Sequence, residues 1–176
     1  LLGATGSIGL STLNVVQSHP DQFQIQLVTA NRNLDKLMEL IRQFRPAYAA
    51  MADPSCQADL RTFLMGQAPQ TRYQPFEEAL RMEADITVIA IVGSAGLVPT
   101  WHAIRYSNRV ALANKESLVA AGELICRAAA EHGTEILPVD SEHNAIHQCL
   151  RAGKTTEVQS IILTASGGPF FGMKES

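Results

Sequence analysis

The hexapeptide PVDSEH, residues 138–143, concentrates more candidate chemistry than any other stretch of the chain. Its two carboxylates, Asp140 and Glu142, stand two residues apart, directly after a short apolar run that predicts the end of a strand. Hard divalent cations prefer oxygen ligands, and side chains at i and i+2 of an extended segment point to the same side. The pair could therefore share one ion, with Ser141 and His143 offering polar groups to a substrate.

The same residues permit a purely structural interpretation. Asp140 or Ser141 could cap a helix over residues 142–150, with Glu142 favoured in the first turn by the positive end of the helix dipole. Taken alone, the segment favours the cap, and the other motifs of the chain change that balance.

A glycine-rich turn near the start of the chain is the second candidate site. GATGSIG, residues 3–9, follows a strand remnant at Leu1-Leu2 and opens a helix, which is the context that a dinucleotide fingerprint requires. Glycines permit a tight turn close to a pyrophosphate, and the helix N-terminus supplies N–H donors and positive dipole. The spacing is GxxGxxG instead of GxGxxG, so an ordinary strand-to-helix turn stays an alternative.

The end of the second strand indicates which dinucleotide is bound. NAD sites usually place an acid about 20 residues after the glycines to hold the ribose hydroxyls. This chain has Asn31, Arg32 and Asn33 there instead. A cation without an acid favours NADP, whose 2′-phosphate Arg32 would bind. The alternative is that Arg32 is a solvated loop cation.

Three further loops follow predicted strands. NKES, residues 114–117, opens a helix at the sheet edge where α/β proteins bind ligands. Lys115 in a first helical turn is disfavoured by the dipole, which indicates an anion or a substrate oxygen beside it; alternatively, Asn114 caps the helix and Lys115 faces solvent. The glycine turn at residues 93–96 is expected to pass close to a cofactor, and that at 164–170 to form a small anion nest, although ordinary turns explain both.

Strands and helices alternate along the chain, which predicts a doubly wound, mostly parallel, Rossmann-like α/β sheet. The continuous β-branched run at residues 86–92 predicts a central strand buried on both faces. Other predicted strands cover residues 23–30, 48–51, 109–113, 135–137 and 160–163, and predicted helices cover residues 10–18, 34–44, 55–65, 76–82, 98–106 and 142–150, with a further helix through residues 118–128 that ends near residue 133.

Composition narrows the class of protein. A net charge of −3 and a pI near 5.9 over 176 residues give no electrostatic argument for nucleic acid, and no apolar stretch reaches membrane-spanning length. Cys56, Cys126 and Cys149 are widely spaced and form no CxxC pair. They predict reduced thiols in a cytoplasmic protein, neither a disulfide framework nor a zinc site. The abrupt ends of the sequence lead us to expect a fragment.

Together the motifs resemble a known family. GATGSIG at residues 3–9, ANKESLV at 113–119, PVDSEHNAI at 138–146 and LTASGGPF at 163–170 occur in this order. The sequence is similar over essentially its whole length to 1-deoxy-D-xylulose 5-phosphate reductoisomerases. These enzymes convert that sugar phosphate to 2-C-methyl-D-erythritol 4-phosphate in the non-mevalonate isoprenoid pathway. The resemblance implies an NADP-dependent oxidoreductase that needs Mg²⁺ or Mn²⁺ and that isomerises its substrate by retro-aldol cleavage and re-addition before hydride transfer.

The resemblance also implies roles for individual residues. It places NADPH contacts at Thr5, Gly6, Ser7, Ile8, Arg32, Asn33, Asn114 and Glu116. It places the metal on Asp140 and Glu142, and the substrate on Lys115, Ser141, Glu142 and Ser166, with Ser166 on the phosphate side and Lys115, Asp140 and Glu142 as the catalytic set. Two departures from the family pattern are Asn31, where glycine is common, and Ala165, where some members carry glycine.

The resemblance further implies an NADPH-binding Rossmann-like domain over residues 1–139 and the truncated start of an α+β catalytic domain over 140–176. A third metal carboxylate, more phosphate ligands and a lid are expected beyond Ser176, so the chain alone is expected to be inactive. The whole protein is expected to be a homodimer acting on a small sugar phosphate, without nucleic-acid or membrane partners. Two rivals are a metal-independent NADP dehydrogenase and a nucleotide-sensing module without chemistry.

Overall fold

The computed structural model describes residues 1–164. The chain divides into two compact units, Leu1–Leu137 and Pro138–Ser176. The first is an α/β sheet with its helices, and the described part of the second is mainly one helix. The helices are α1 (Ser7–Ser18), α2 (Leu34–Phe44), α3 (Gln57–Gln67), α4 (Phe76–Ala79), α5 (Leu97–Tyr106), α6 (Lys115–His132) and α7 (Ser141–Arg151), with short 3₁₀ turns at Pro54–Cys56, Gly93–Gly96 and Thr155–Glu157.

Within residues 1–164, six strands form two three-stranded groups, ordered β1-β2-β3 and β4-β5-β6. The pairs β1–β2, β2–β3 and β4–β5 are parallel. Parallel neighbours require crossover connections, which the intervening helices provide. The strands are β1 (Leu27–Ala30), β2 (Tyr48–Met51), β3 (Arg72–Tyr73), β4 (Ala84–Ile89), β5 (Ser107–Leu112) and β6 (Glu135–Pro138).

Leu2 joins the two groups of strands. It forms parallel bridges to Thr29 of β1 and to Ile89 of β4. Its N–H donates to the Val88 carbonyl at 2.9 Å, and its carbonyl accepts from the Ala90 N–H at 2.8 Å. The chain therefore runs from Leu2 outward through β1, β2 and β3, then returns to β4 on the other side of Leu2. This reversal is a topological switch point, the place where open α/β sheets bind ligands.

Two hydrophobic clusters hold the sheet to its helices. One contains Val28 and Met51 with the fully buried Leu37 and Ile41 of α2. The other combines β4 and β5 with α5 and α6, and Ile125 of α6 is completely buried in it. Each such side chain stabilises the fold by about 1.5–3 kcal/mol through burial alone.

Helix ends follow local sequence signals. Asn33 caps α2 by accepting a hydrogen bond from the Lys36 N–H, as its residue type favours. Helix α6 ends at His132 and is followed by its C-cap Gly133, whose φ of 69° lies in the left-handed region that glycine adopts without a Cβ penalty. Within α6, Ala121 has non-helical backbone angles, φ −149° and ψ 32°, so the helix is kinked just after its second turn.

The predicted parallel α/β class is confirmed, but several strands differ from the prediction. The strand β3 was not predicted, and β5 begins at Ser107 instead of residue 109. The strand β1 begins at Leu27 instead of residue 23. The central strand ends at Ile89, and Ile86 is 40% exposed, so burial on both faces along its length was wrong. A β-branched run reports strand preference, whereas burial depends on which residues other layers cover. Residues 160–163 form no strand, and residues 139–164 contain no strand that could pair with them. Among the described residues, no helix is long and apolar enough to cross a membrane.

Candidate functional site

One edge of the sheet gathers most of the predicted cofactor residues. The glycine turn follows Leu2, Arg32 and Asn33 follow β1, and Asn114 follows β5. Because these strands run parallel, the loops leave the sheet at the same carboxyl edge, on both sides of the switch point. Thr5, Gly6, Ser7, Ile8, Arg32, Asn33, Asn114, Lys115 and Glu116 all belong to these loops or to the first turns of the helices that follow them.

The glycine turn is shaped by close backbone contacts. Gly3 has φ 86°, and a Cβ there would lie 2.6 Å from the Ala90 carbonyl oxygen. Its N–H donates to Thr29 Oγ1 at 3.2 Å, which ties the turn to β1. A Cβ on Gly9 would lie 2.6 Å from the Ala4 carbonyl oxygen. Only glycine permits this approach of turn, helix and neighbouring strand at either position.

The start of α1 has the features of an anion site. Gly6 occupies the N-cap position and supplies no side-chain acceptor, and the first turn of α1 contains no acid. Gly6, Ser7 and Ile8 are exposed. The first N–H groups of a helix have no partner within the helix and carry its positive dipole. A bound phosphate would satisfy them.

Arg32 has a partner that sequence reasoning missed. Its Nε donates to Asp53 Oδ2 at 2.5 Å, and Asp53 Oδ1 accepts from the Ser55 N–H at 2.9 Å and the Ser55 hydroxyl at 2.7 Å. The bonds from Ser55 and the Arg32 guanidinium lower the pKa of Asp53 to about 2, and the carboxylate raises the pKa of Arg32. An acid is therefore present at this edge, at the end of β2. The position of Asp53, two residues after β2, was the sequence signal that could have identified it as part of this edge.

The side chain of Asn114 connects the loop after β4 to the first turn of α6. Its Nδ2 donates to the Ile91 carbonyl at 2.8 Å and the Gly93 carbonyl at 2.6 Å. Its Oδ1 accepts from the Ser117 N–H at 2.9 Å and from the Ser117 hydroxyl. The residue is 1% exposed. Both hydrogens of the amide and both acceptor directions of its oxygen are thus used within the protein, so the side chain fixes the positions of the loops.

Two other residues belong to this buried network: Gly96, from the predicted glycine turn at residues 93–96, and Thr100, which sequence reasoning missed. A Cβ on Gly96 would lie 2.7 Å from Cγ of Asn114, so the amide packs directly on the glycine. Thr100 is fully buried and donates to the Gly96 carbonyl at 2.7 Å. Lys115 and Glu116 are exposed directly beside the network, in the first turn of α6. The capping alternative for Asn114 is therefore correct, and it does not conflict with a ligand-binding Lys115.

The acidic motif lies in the second unit, at the start of α7. Asp140 is the N-cap, with φ −62° and ψ 151°, and its Oδ1 accepts from the His143 N–H at 3.1 Å and lies 2.7 Å from His143 Nδ1. Glu142 is in the first helical turn. The extended i, i+2 geometry expected from the sequence was wrong, because Ser141 and Glu142 are helical. The cap that was the alternative interpretation is present.

A cap and a metal ligand are compatible roles for Asp140. A carboxylate has two oxygens with about four acceptor directions, and hard cations prefer such oxygens. Within residues 1–164, no three His, Cys, Asp or Glu side chains cluster closely enough to hold a metal. The described residues therefore supply two carboxylates at most. Ser166 and most of the turn at residues 164–170 lie outside the described residues.

The sheet and its edge define a class of protein. A parallel α/β sheet with a glycine turn and an uncapped helix N-terminus at the switch point is a dinucleotide-binding fold of the Rossmann type. Comparison with known proteins identifies the family. The family model described as 1-deoxy-D-xylulose 5-phosphate reductoisomerase matches residues 1–122, and the model of the C-terminal domain of the same enzyme matches residues 136–176. The chain belongs to the 1-deoxy-D-xylulose 5-phosphate reductoisomerase family.

Individual relatives agree with this assignment. The 1-deoxy-D-xylulose 5-phosphate reductoisomerase of Geobacillus sp. (strain WCH70) is 46% identical over 172 residues, covering 97% of this chain and 45% of that protein. The enzyme of Zymomonas mobilis is 49% identical over 172 residues, covering 97% and 44%. The chain therefore spans about half the length of the curated relatives it matches.

Solved structures match the fold as well. The reductoisomerase of Zymomonas mobilis in complex with NADPH has a TM-score of 0.87 at 47% identity, covering 98% of this chain and 46% of that chain. A reductoisomerase in complex with NADPH, fosmidomycin and magnesium has a TM-score of 0.79 at 42% identity, covering 84% and 37%. The resemblance found in the sequence is confirmed.

Proposed function

We propose that the whole protein to which this chain belongs catalyses the NADPH- and divalent-metal-dependent isomerisation and reduction of 1-deoxy-D-xylulose 5-phosphate to 2-C-methyl-D-erythritol 4-phosphate. The observation that carries this proposal is the glycine turn at the switch point of the sheet, in a chain that belongs to the reductoisomerase family. A similar chain has been solved with NADPH, and another with NADPH, fosmidomycin and magnesium.

The cofactor is proposed to lie along the carboxyl edge of the sheet. The glycine turn and the start of α1, at Thr5, Gly6, Ser7 and Ile8, would bind its pyrophosphate. The Gly6 N–H already donates to the Gly3 carbonyl at 3.3 Å, so the N–H groups of Ser7 and Ile8 would be the main donors. Arg32 and Asn33 would lie at its adenosine end, where the exposed guanidinium provides charge for a 2′-phosphate. Asn114 and Glu116 would lie along the nicotinamide half. For Asn114 the saturated buried side chain supports an indirect role, in which it holds the loop carbonyls and the start of α6 in place.

The acids at the start of α7 are proposed to hold the metal. Asp140 and Glu142 supply the oxygen chemistry that Mg²⁺ and Mn²⁺ require. The hydrogen bonds from His143 fix the carboxylate of Asp140 in one orientation. Ser141 and Ser166 would orient the sugar phosphate, and Lys115 would place positive charge near developing negative charge on substrate oxygens. When bound, the metal supplies Lewis acidity and the nicotinamide supplies the hydride.

The domain boundaries, the homodimer, the cytoplasmic location and the inactivity of this chain alone are also proposals. The NADPH-binding domain over residues 1–139 is proposed to precede the catalytic domain that starts at residue 140. The homodimer is proposed from the resemblance alone. The cytoplasmic location is proposed from the three cysteines, which are all free within the described residues. The chain alone is expected to lack activity, because it spans about half the length of the reductoisomerases that it matches.

The decisive experiment follows NADPH oxidation by the whole protein. Reaction mixtures contain 1-deoxy-D-xylulose 5-phosphate with Mn²⁺, with EDTA, or with EDTA followed by excess Mn²⁺. We expect oxidation only when both substrate and metal are present. Oxidation that persists in EDTA would favour the metal-independent dehydrogenase. NADPH binding without turnover under any of these conditions would favour the nucleotide-sensing module.

A further inference from the structure

The Arg32–Asp53 pair lies where two neighbouring strands end. Arg32 follows β1 and Asp53 follows β2, and these strands are parallel, so both residues leave the carboxyl edge of the sheet. The Asp53 N–H also donates to the Asn31 carbonyl at 3.3 Å. Backbone and side chain therefore tie the two loops together at the proposed adenosine end of the cofactor.

The two members of the pair differ strongly in mobility. The Asp53 side chain is 14% exposed, and three donors hold its carboxylate: Arg32 Nε, the Ser55 N–H and the Ser55 hydroxyl. The Arg32 side chain is 80% exposed. A long exposed side chain samples many rotamers unless a contact restricts it. Asp53 is the fixed member, and it restricts Arg32.

The nitrogen that Asp53 holds determines what Arg32 presents. The guanidinium is planar, with five N–H donors in a fixed fork. Asp53 accepts from Nε. This bond fixes the orientation of the guanidinium plane and leaves the two terminal nitrogens available to a ligand. Those nitrogens form the geometry that binds a phosphate in a bidentate manner.

We propose that Asp53 is a positioning residue that determines the selectivity of this site for a 2′-phosphorylated dinucleotide by orienting the Arg32 guanidinium. This inference rests on the proposed NADPH function. Asp53 does not touch the cofactor and acts only through Arg32. Its expected effect is therefore confined to ligands with a 2′-phosphate, and it disappears when Arg32 is removed.

An opposing effect of Asp53 is its own negative charge, which repels a phosphate. The Arg32 guanidinium, 2.5 Å away, already offsets the charge of Asp53, and salt screens the remaining repulsion, whereas an unoriented arginine loses much of its bidentate advantage. Orientation is thus expected to outweigh repulsion at physiological ionic strength. The sign of the Asp53→Asn effect decides between them, because loss of repulsion alone would strengthen phosphate binding.

The test measures binding of 2′,5′-ADP and 5′-AMP to the whole protein by calorimetry. Asp53 is the N-cap of the 3₁₀ turn Pro54–Cys56. Asp53→Asn removes the charge that holds Arg32 and keeps this cap, since asparagine and aspartate are similar N-cap residues. We expect about tenfold weaker binding of 2′,5′-ADP, the scale of one charge-assisted contact, with 5′-AMP binding unchanged. The matched control Asp59→Asn removes an exposed negative charge from the first turn of α3, whereas Arg32 pairs with Asp53. It should leave the ratio of the two affinities unchanged.

Arg32→Ala completes the test. In that background, Asp53→Asn should change neither affinity. Equal weakening of both ligands by Asp53→Asn would show a merely structural role, and unchanged or tighter 2′,5′-ADP binding would overturn the inference while leaving the NADPH proposal standing. Wild-type protein that fails to prefer 2′,5′-ADP would refute the NADPH proposal and this inference with it. If the asparagine variant does not fold, Asp53→Ser, which also supplies a cap, decides the matter by the same criteria.

Discussion

Asn114→Ala should open the carboxyl edge of the sheet without unfolding the protein. The amide donates to the Ile91 and Gly93 carbonyls and accepts from the N–H and hydroxyl of Ser117. Alanine removes all of these bonds at once, together with the cap of α6. It also leaves a space beside Gly96, on which the amide packs.

The magnitude follows from the bonds that are lost. A neutral hydrogen bond contributes about 0.5–1.5 kcal/mol net, and the loss of an N-cap costs about 0.5–2 kcal/mol, part of which is the same bond to Ser117. Because water can replace some partners in an opened loop, we expect a local cost of about 2–4 kcal/mol. This is less than the total stability of a typical domain, about 5–15 kcal/mol, so the fold should persist.

Hydrogen exchange followed by mass spectrometry measures this cost directly. Local opening raises exchange about tenfold for each 1.4 kcal/mol, so peptides spanning residues 91–117 should exchange about 30-fold to about 700-fold faster in the variant. Asn108→Ala is the matched control, because Asn108 is exposed and its amide makes only a 3.5 Å contact with Asp85. It should leave exchange unchanged. Acceleration below threefold, or equal acceleration throughout the protein, would refute the network as described.

Two further predictions concern Gly9 and Asp53. Gly9→Ala should lower NADPH affinity at least about tenfold in a fluorescence titration, because the new Cβ would lie 2.6 Å from the Ala4 carbonyl oxygen. The control is Gly66→Ala in α3, where a Cβ would meet open space, and it should stabilise α3 slightly. The pKa of Asp53 is lowered from 3.8 to about 2. The stability that the ionised carboxylate contributes is therefore complete above pH 4 and lost as pH falls toward 2, so urea midpoints of wild type and Asp53→Asn should converge over that interval.

Local sequence signals predicted much of the fold. The glycine turn, the alternation of strands and helices and the cap at Asn114 depend on neighbouring residues, and they appear where expected. The predicted strand at residues 160–163 depended on β-branched residues alone. A strand also needs a partner, and a local pattern does not show whether one is present.

The contacts that complete the candidate site could not be predicted from local patterns. Asp53 reaches Arg32 across 21 positions because β1 and β2 are neighbours in the sheet. Asn114 reaches Ile91 across 23 positions because β4 and β5 are neighbours. For Asp140 and Glu142 the sequence left an extended pair and a helix cap as alternatives, because a strand end and a cap give similar short patterns. In each case strand order or the exact helix start determines the geometry.

The central claim is that Asp140 and Glu142 hold a divalent cation in the whole protein. Electron paramagnetic resonance titration with Mn²⁺ tests it most directly, with Asp140→Asn, which keeps the cap of α7, and the isosteric Glu142→Gln. Glu131→Gln, at an exposed acid on α6, is the control. We expect both site variants to bind Mn²⁺ at least about tenfold more weakly while NADPH affinity stays within about twofold of wild type. Wild-type Mn²⁺ affinity in either variant would contradict the claim.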